Sequence, residues 1–276
     1  MKPAPFDYQR AASLDEALRL IGGAADARVI AGGQSLVPML HLRLARPALL
    51  VDLSALPALR AATEHGDRVE YGALVTHAAV EDGRAPDPCG GYLQHVAAGI
   101  AYRPVRNRGT VAGSLAHADP AADWPTALSA AGASVVLTGS GGQRRLELAE
   151  FLQAPFTTAL QDGEIVTAVS VPRRSPASRW SYVKHARKAG EFALSLAAIV
   201  LDRDAGFARI AVGGLAGRPQ LLPELAGRLL DDSTQMLRGF DLPAAERALA
   251  AAAPSNDPVR LRLHAATLCR AVRGLQ

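Results

Sequence analysis

Two short stretches of the sequence gather small residues and lone polar groups in patterns suited to gripping an anion or a polyol. The first is "VIAGGQSLVPML", residues 29–40. An apolar run through Val29 and Ala31 delivers the backbone into Gly32–Gly33, which can take positive φ and let another group approach closely. Gln34, Ser35 and Leu36 then open an expected helix. Free N–H groups and the helix dipole favour an anion there, and a diphosphate suits the arrangement. The pattern is neither G-x-G-x-x-G nor a P-loop with Gly-Lys-Ser/Thr. On its own the signal is weak, and an ordinary tight turn is the reading it favours.

The second stretch is "RNRGTVAGSLAHADPAADWP", residues 106–125. Thr110 and Ser114 offer hydroxyls, Gly113 a bare backbone, and Asp123 a carboxylate that could accept hydrogen bonds from ribityl or ribose hydroxyls. The competing assignment is structural: Asp119–Pro120 starts a turn, and Asp123 caps the helix opening at Trp124–Pro125. His117 is a possible base, but no Ser or Cys nucleophile sits in a recognisable elbow nearby, so hydrolase chemistry has no support. "AVGGLAGRP" (211–219) reads as a turn after a strand.

The chain has 276 residues, 49% hydrophobic and 20% charged, which is globular composition sufficient for one to two domains. The formal charge of +4 is spread along an arginine-rich chain without a basic, aromatic-interleaved block, which speaks against nucleic-acid binding. Cys89 and Cys269 have no partners at metal-ligand spacing, so zinc and iron–sulfur sites within the chain are not expected, and a reducing compartment fits. No signal peptide and no membrane-spanning apolar run is recognisable, and a cytoplasmic protein is expected.

The elements that must position these stretches alternate in type. "SLDEALRLI" has a capping box, Ser13 and Glu16, before an apolar helical face. "ARVIA" reads as a short buried strand, "LVPMLHLRLA" as a short helical segment, and "ALLVDLS" as another buried strand: a compact α/β unit. Residues 68–76 are an expected strand, 92–101 a helix, and "WPTALSAAGA" a helix with Pro125 near its first turn. "SVVLTGSGGQRRLEL" is a hairpin pattern, and "EIVTAVSVP" a strand. After "RRSPASR", a linker or exposed loop, comes the hairpin "SLAAIVLDRDAGFARIAVGG". The final helix carries Leu261, Ala265, Leu268 and Val272 on one face, behind a polar cap within "SND" (255–257).

Taken together, the two stretches resemble the FAD-binding medium subunits of molybdenum hydroxylases, the carbon monoxide dehydrogenase and xanthine dehydrogenase type flavoproteins. That family carries A-G-G-x-S-L, matched by Ala31–Leu36, and R-N-x-G-T-I/V-G-G-S/N-L-x-H-A-D-P-A-A-D, matched by Arg106–Asp123. "FDYQRAASLDEAL", "RLARPALLVDLS", "EIVTAVSVP" and "YVKHARKAGEFAL" extend the likeness over essentially the whole chain. The resemblance implies an α+β fold: a two-part α/β FAD-binding domain of the PCMH type at 1–175, with subdomains about 1–55 and 56–175, then a smaller α+β domain at 176–276.

The resemblance also implies roles. Val29, Ala31, Gly32, Gly33, Gln34, Ser35 and Leu36, with Thr110, Ala112, Gly113 and Ser114, would grip FAD, the two motif loops holding its diphosphate. Asp123 would bind the polyol region, Ile100 and Ala101 would lie against the isoalloxazine, Val166 would line the site, and Lys184 would contact the flavin. Lys184 is one of three lysines in the chain, and an ordinary surface lysine is the alternative. No residue is expected to act as a nucleophile, and no catalytic residue or metal ligand is assigned. The molybdenum cofactor and 2Fe-2S clusters would reside on a large and a small partner subunit, in a dimer of heterotrimers. The expected function is electron transfer from those clusters through FAD to an external acceptor. A stand-alone FAD oxidoreductase and a non-redox nucleotide-binding interaction protein are the competing functions. Two departures stand out. Ala112 replaces a usual glycine, at a cost of about 1–2 kcal/mol if the backbone there is left-handed and harmlessly if it is not. "GEF" (190–192) replaces "GDF".

Overall fold

A computed structural model describes residues 2–275 apart from 233–235, 238 and 254–256. The expected capping box forms in a shifted version: Ser13 accepts from the Glu16 amide ahead of α1 (Leu14–Gly23), while Glu16 accepts from the Ala12 amide, one residue before the cap, at 2.7 Å. Strands β1 (Asp7–Arg10), β2 (Ala27–Ile30) and β3 (Leu49–Asp52) form a parallel sheet in the order β1-β3-β2. The apolar run "LLV" makes β3 the buried middle strand. β2 is an edge strand and only half-buried, a departure from the buried strand expected there. Between them lies α2 (Leu36–His41).

The next unit is a five-stranded antiparallel sheet, β4 (Ala62–Glu64), β5 (Arg68–Gly72), β10 (Ile165–Pro172), β6 (Ser134–Gly139) and β7 (Gly142–Glu147), in that spatial order. β5 stops at Gly72, short of the expected 76, where the chain turns and Val75 donates its amide to the Gly72 carbonyl at 2.9 Å. A Cβ on Gly72 would lie 2.4 Å from the Leu59 carbonyl oxygen. Helices α3 (His77–Glu81), α4 (Tyr92–Ala98), α5 (Arg103–Arg106), α6 (Val111–His117) and α7 (Asp123–Ala131) follow β5, and α8 (Leu148–Phe151) with the ribbon β8 (Leu152–Ala154)–β9 (Thr157–Thr158) follow β7. The 106–117 stretch, expected as a loop, is thus largely helical.

The last unit is an antiparallel sheet of β11 (Arg179–His185), β12 (Ser195–Asp202), β13 (Phe207–Gly213) and β14 (Gln220–Leu221). Helices α9 (Pro223–Asp231), α10 (Leu242–Ala252) and α11 (Pro258–Arg273) accompany it. Asp257 caps α11; Ser255 and Asn256 of the expected cap lie outside the described residues. β12 is buried along its whole length, with α7 on one face and α11 on the other. Every residue of α7 is buried. It fits flush because Gly213 offers no side chain: a Cβ there would lie 1.9 Å from Thr126 Oγ1. One apolar cluster therefore runs from Val51 and Leu128 through to Ala198, Val200 and Ala211.

Candidate functional site

β2 ends at Ile30 and feeds the turn Ala31–Gly32–Gly33, with Gly33 at φ +72°. Val37 closes the turn by donating its amide to the Gly33 carbonyl at 2.9 Å. Ser35 precedes α2 without a side-chain cap bond. Among the described residues no protein acceptor takes the amides of Gln34, Ser35 or Leu36. At this partly buried helix start such donors are met by water or by a ligand oxygen, and a bound anion would take them together.

The second motif lies directly against the first. A Cβ on Gly32 would sit 2.0 Å from the Arg108 carbonyl oxygen, so only glycine permits the approach. Thr110 caps α6, its Oγ1 accepting from the Gly113 amide at 3.0 Å. That occupies the Thr110 hydroxyl as an acceptor and leaves the Ala112 amide without a protein acceptor among the described residues. Ala112 is helical and buried, and it is absent from the positive-φ residues; its methyl meets no backbone penalty. Gly113 itself approaches the cap, where a Cβ would lie 2.7 Å from Thr110 Oγ1.

A buried histidine underpins this corner. His77 donates its amide to the Gly109 carbonyl at 2.9 Å, and its Nδ1 accepts from the Trp124 indole at 2.9 Å. The ring proton is thereby assigned to Nε2, beside Gly109, where a Cβ would lie 2.7 Å away. Burial, reinforced by the Arg106 charge, pushes the imidazole down to about 4, so it is neutral near pH 7.

Asp123 does not cap α7. Ala122 occupies the cap position, and Asp123 opens the helix and is turned to other partners. Its Oδ1 accepts from Tyr182 Oη at 2.6 Å and its Oδ2 from Lys184 Nζ at 3.0 Å. Burial pushes the carboxyl above its ordinary value while Lys184 and Tyr182 pull it back. Burial and the Asp123 carboxylate together hold the Tyr182 phenol well above its usual range, so it remains a donor. Lys184 also donates to the Gly99 carbonyl at 3.2 Å. It is not a free surface lysine; its side chain is 13% exposed.

Lys184 and Ala101 line a pocket of about 320 Å³, together with Gly99, Tyr102, Lys188 and Gly190. Gly190, at φ +82°, abuts the opposite wall: a Cβ there would lie 2.9 Å from the Tyr102 ring. Ala101 holds φ +43°, a left-handed conformation that costs an L residue about 1–2 kcal/mol. Such strain persists only where surroundings over-determine it.

Of the expected site residues, Ala31 to Leu36 and Thr110 to Ser114 lie on segments that meet at the Gly32–Arg108 contact, and Ala101, Asp123 and Lys184 converge at or behind the pocket. Val29 lies on β2, and Ile100 is half-buried against the core at the edge of the pocket turn. Val166 is a buried core residue of β10, opposite Leu137 beside a register shift; it does not line the pocket. Sequence reasoning missed Tyr182, Tyr102, Lys188 and His77. Tyr182 was findable, since residues 182 and 184 of a strand share a face. His117 lies beside Phe156, with ring centroids 5.2 Å apart and the planes tilted at 53°.

Amides without a protein acceptor among the described residues, a buried carboxylate with two donors, and a lysine-lined pocket fit the successive parts of a dinucleotide-sized flavin cofactor. The chain belongs to the family of the FAD-binding domain in molybdopterin dehydrogenase, whose model matches residues 4–174. It is 38% identical to the 6-hydroxypseudooxynicotine dehydrogenase complex subunit alpha of Paenarthrobacter nicotinovorans, over 94% of this chain and 87% of that one. It is 34% identical to the carbon monoxide dehydrogenase medium chain of Afipia carboxidovorans, over 93% and 90% respectively. Among solved structures it superposes on quinoline 2-oxidoreductase from Pseudomonas putida 86 with a TM-score of 0.86 at 34% identity, covering 100% of this chain and 99% of that one. Carbon monoxide dehydrogenase from Hydrogenophaga pseudoflava gives 0.89 at 30% identity, covering 100% and 98%. The α+β FAD-binding fold, the flavin cofactor and the oxidoreductase class expected from the sequence are thereby established. No described helix is long and apolar enough to cross a membrane, and no described cluster of His, Cys, Asp and Glu could hold a metal.

Proposed function

We propose that this chain is the electron-transfer subunit of a molybdenum hydroxylase, taking electrons from the 2Fe-2S clusters of a small partner subunit and releasing them to an external acceptor. The molybdenum cofactor, where substrate is hydroxylated, belongs on a large partner subunit, and the assembly is a dimer of heterotrimers. Bound FAD supplies the redox chemistry; the protein's residues bind, orient and shield it. In this reading residues 1–175 carry the FAD-binding domain and 176–276 a supporting domain.

The amides of Gln34, Ser35, Leu36 and Ala112 take the diphosphate, with Gly32 and Gly33 allowing its approach and Gly113 and Ser114 completing the second wall. Asp123, held by Tyr182 and Lys184, accepts from the polyol hydroxyls. Lys184, Ile100 and Ala101 border the ring, and Val29, Ala31, Thr110 and Val166 support the site from behind. The observation that carries the reading is the contact of the two motif segments at Gly32; the amides of Gln34, Ser35 and Leu36 on the first and of Ala112 on the second have no protein acceptor among the described residues.

The test is the visible spectrum of the purified chain, with mass analysis of what acid releases and identification of co-purifying subunits. A flavin spectrum, released FAD, and molybdenum-bearing and iron–sulfur partners are expected. FAD with unassisted turnover of a small substrate would favour a stand-alone oxidoreductase. A colourless chain that binds adenine nucleotides would sink the redox reading.

A further inference from the structure

The turn from Gly99 to Tyr102 has cations on three successive carbonyls. Lys184 Nζ donates to the Gly99 oxygen at 3.2 Å, and Arg106 Nη1 donates to those of Ile100 and Ala101 at 2.8 and 3.0 Å. Arg106 is fixed in turn: its Nε and Nη2 donate to the two Glu81 carboxylate oxygens at 2.7 and 2.9 Å, a bidentate pairing of specific geometry. Both side chains are mostly buried, at 12% and 19% exposure. This fork holds the turn in which Ala101 is left-handed.

In a planar trans peptide the C=O and N–H point in opposite directions. With the Ile100 and Ala101 carbonyls turned to Arg106, the N–H groups of Ala101 and Tyr102 point away from it. No acceptor among the described residues takes either one. Both residues line the pocket.

We propose that Arg106 and Glu81 are a positioning pair that presets the Ala101 and Tyr102 amides as two donors for the electron-rich edge of the ring the pocket takes. The proposal rests on the FAD reading above. Neither side chain touches the ring; both act through the turn. A lysine at 106 supplies charge but not the planar fork that spans two carbonyls and a carboxylate. Reduced flavin carries more electron density than oxidised flavin, so preset donors favour the reduced form, and loosening them lowers the midpoint potential.

The experiment uses the full chain loaded with FAD. Flavin fluorescence quenching gives Kd, and a dye-equilibrated titration gives the midpoint potential. The variants are Arg106→Lys, Glu81→Gln and Ala101→Gly, with Arg145→Gln, from the outer-sheet pair with Glu70, as the control. Each of the first three is expected to lose about tenfold of the preference for reduced over oxidised FAD, a fall of about 30 mV for a two-electron couple. Arg145→Gln should match wild type. Glu81→Gln keeps the shape of the clamp and Ala101→Gly relieves strain, so a folding defect in Arg106→Lys leaves two informative variants. Unchanged potentials in the folded variants, even with lowered thermal stability, overturn the proposal. A wild-type chain that takes up no FAD overturns the cofactor reading first, and this proposal with it.

Discussion

Tyr182 donates its phenolic proton to Asp123 at 2.6 Å, joining residues 59 positions apart, one on β11 and the other at the start of α7. Lys184, on the same strand face, completes the carboxylate's coordination at 3.0 Å. The carboxylate assigned to the cofactor is therefore oriented by the C-terminal sheet.

This coupling makes the three residues unequal. Asp123→Asn leaves the Lys184 ammonium without its buried counter-charge, a class of change that costs about 3–5 kcal/mol. Tyr182→Phe removes one hydrogen bond to a charged group, costing about 1.5–3 kcal/mol. Urea unfolding of the apoprotein should rank them in that order, and both should weaken FAD binding in fluorescence titration. Wild-type FAD affinity in Asp123→Asn would remove Asp123 from the site.

Gly32→Ala should be the most damaging single methyl in the first motif. Its Cβ meets a backbone oxygen, which cannot rotate away as a side chain could. Overpacking costs about 1–3 kcal/mol, and because the two motif segments must separate to admit it, FAD affinity should fall at least about tenfold, or 1.4 kcal/mol. An unaltered Kd in Gly32→Ala would show that the segments need not meet to bind FAD.

Ala112→Gly should bring no benefit, although the motif resemblance leads one to expect glycine there. The position is helical, so glycine costs up to about 1 kcal/mol there, a fall in Tm of roughly 2–4 °C. FAD affinity should not change. Improved binding in Ala112→Gly would mean that the loop rearranges around the cofactor.

His77 should make the chain acid-sensitive from about pH 6.5 downward. Its folded value of about 4 lies below the unfolded value of 6.5, so the unfolded state takes up the proton first as pH falls. The stability associated with neutral His77 is complete above pH 6.5 and is lost progressively down to about pH 4. The loss is on the order of 3 kcal/mol in total. Urea midpoints at pH 7.5, 5.5 and 4.5, compared between wild type and His77→Gln, measure it. Parallel curves would refute the assignment.

The alternation of elements and the two motifs were legible because capping residues, glycine turns and apolar periods are local. Ser13, the hairpin at 139–142 and the run "LLV" each act within a few residues. The role of Asp123 was not local: an aspartate before Trp–Pro satisfies the rules for a helix cap, and only the pairing of β11 with β12 brings Tyr182 and Lys184 to it. The burial of Val166 was likewise hidden, because a strand's sequence does not say which sheet face covers it. Position 112 was decided by the Thr110 cap, which draws the following residues into a helix.

The complete burial of α7 has a mechanical consequence. A helix enclosed by β12 and β13 on one side and the five-stranded sheet's core on the other leaves no slip plane between the halves of the chain. The crossing segment is also tethered: Arg174 donates to the Ala131 carbonyl at 2.6 Å and stacks 3.4 Å over Phe207, and Ser175 binds Asp202. These contacts brace the crossing between the two sheets. A cofactor seated against Asp123 and Lys184 would be mounted on a chassis shared by both sheets, its seat braced from two sides when the chain folds.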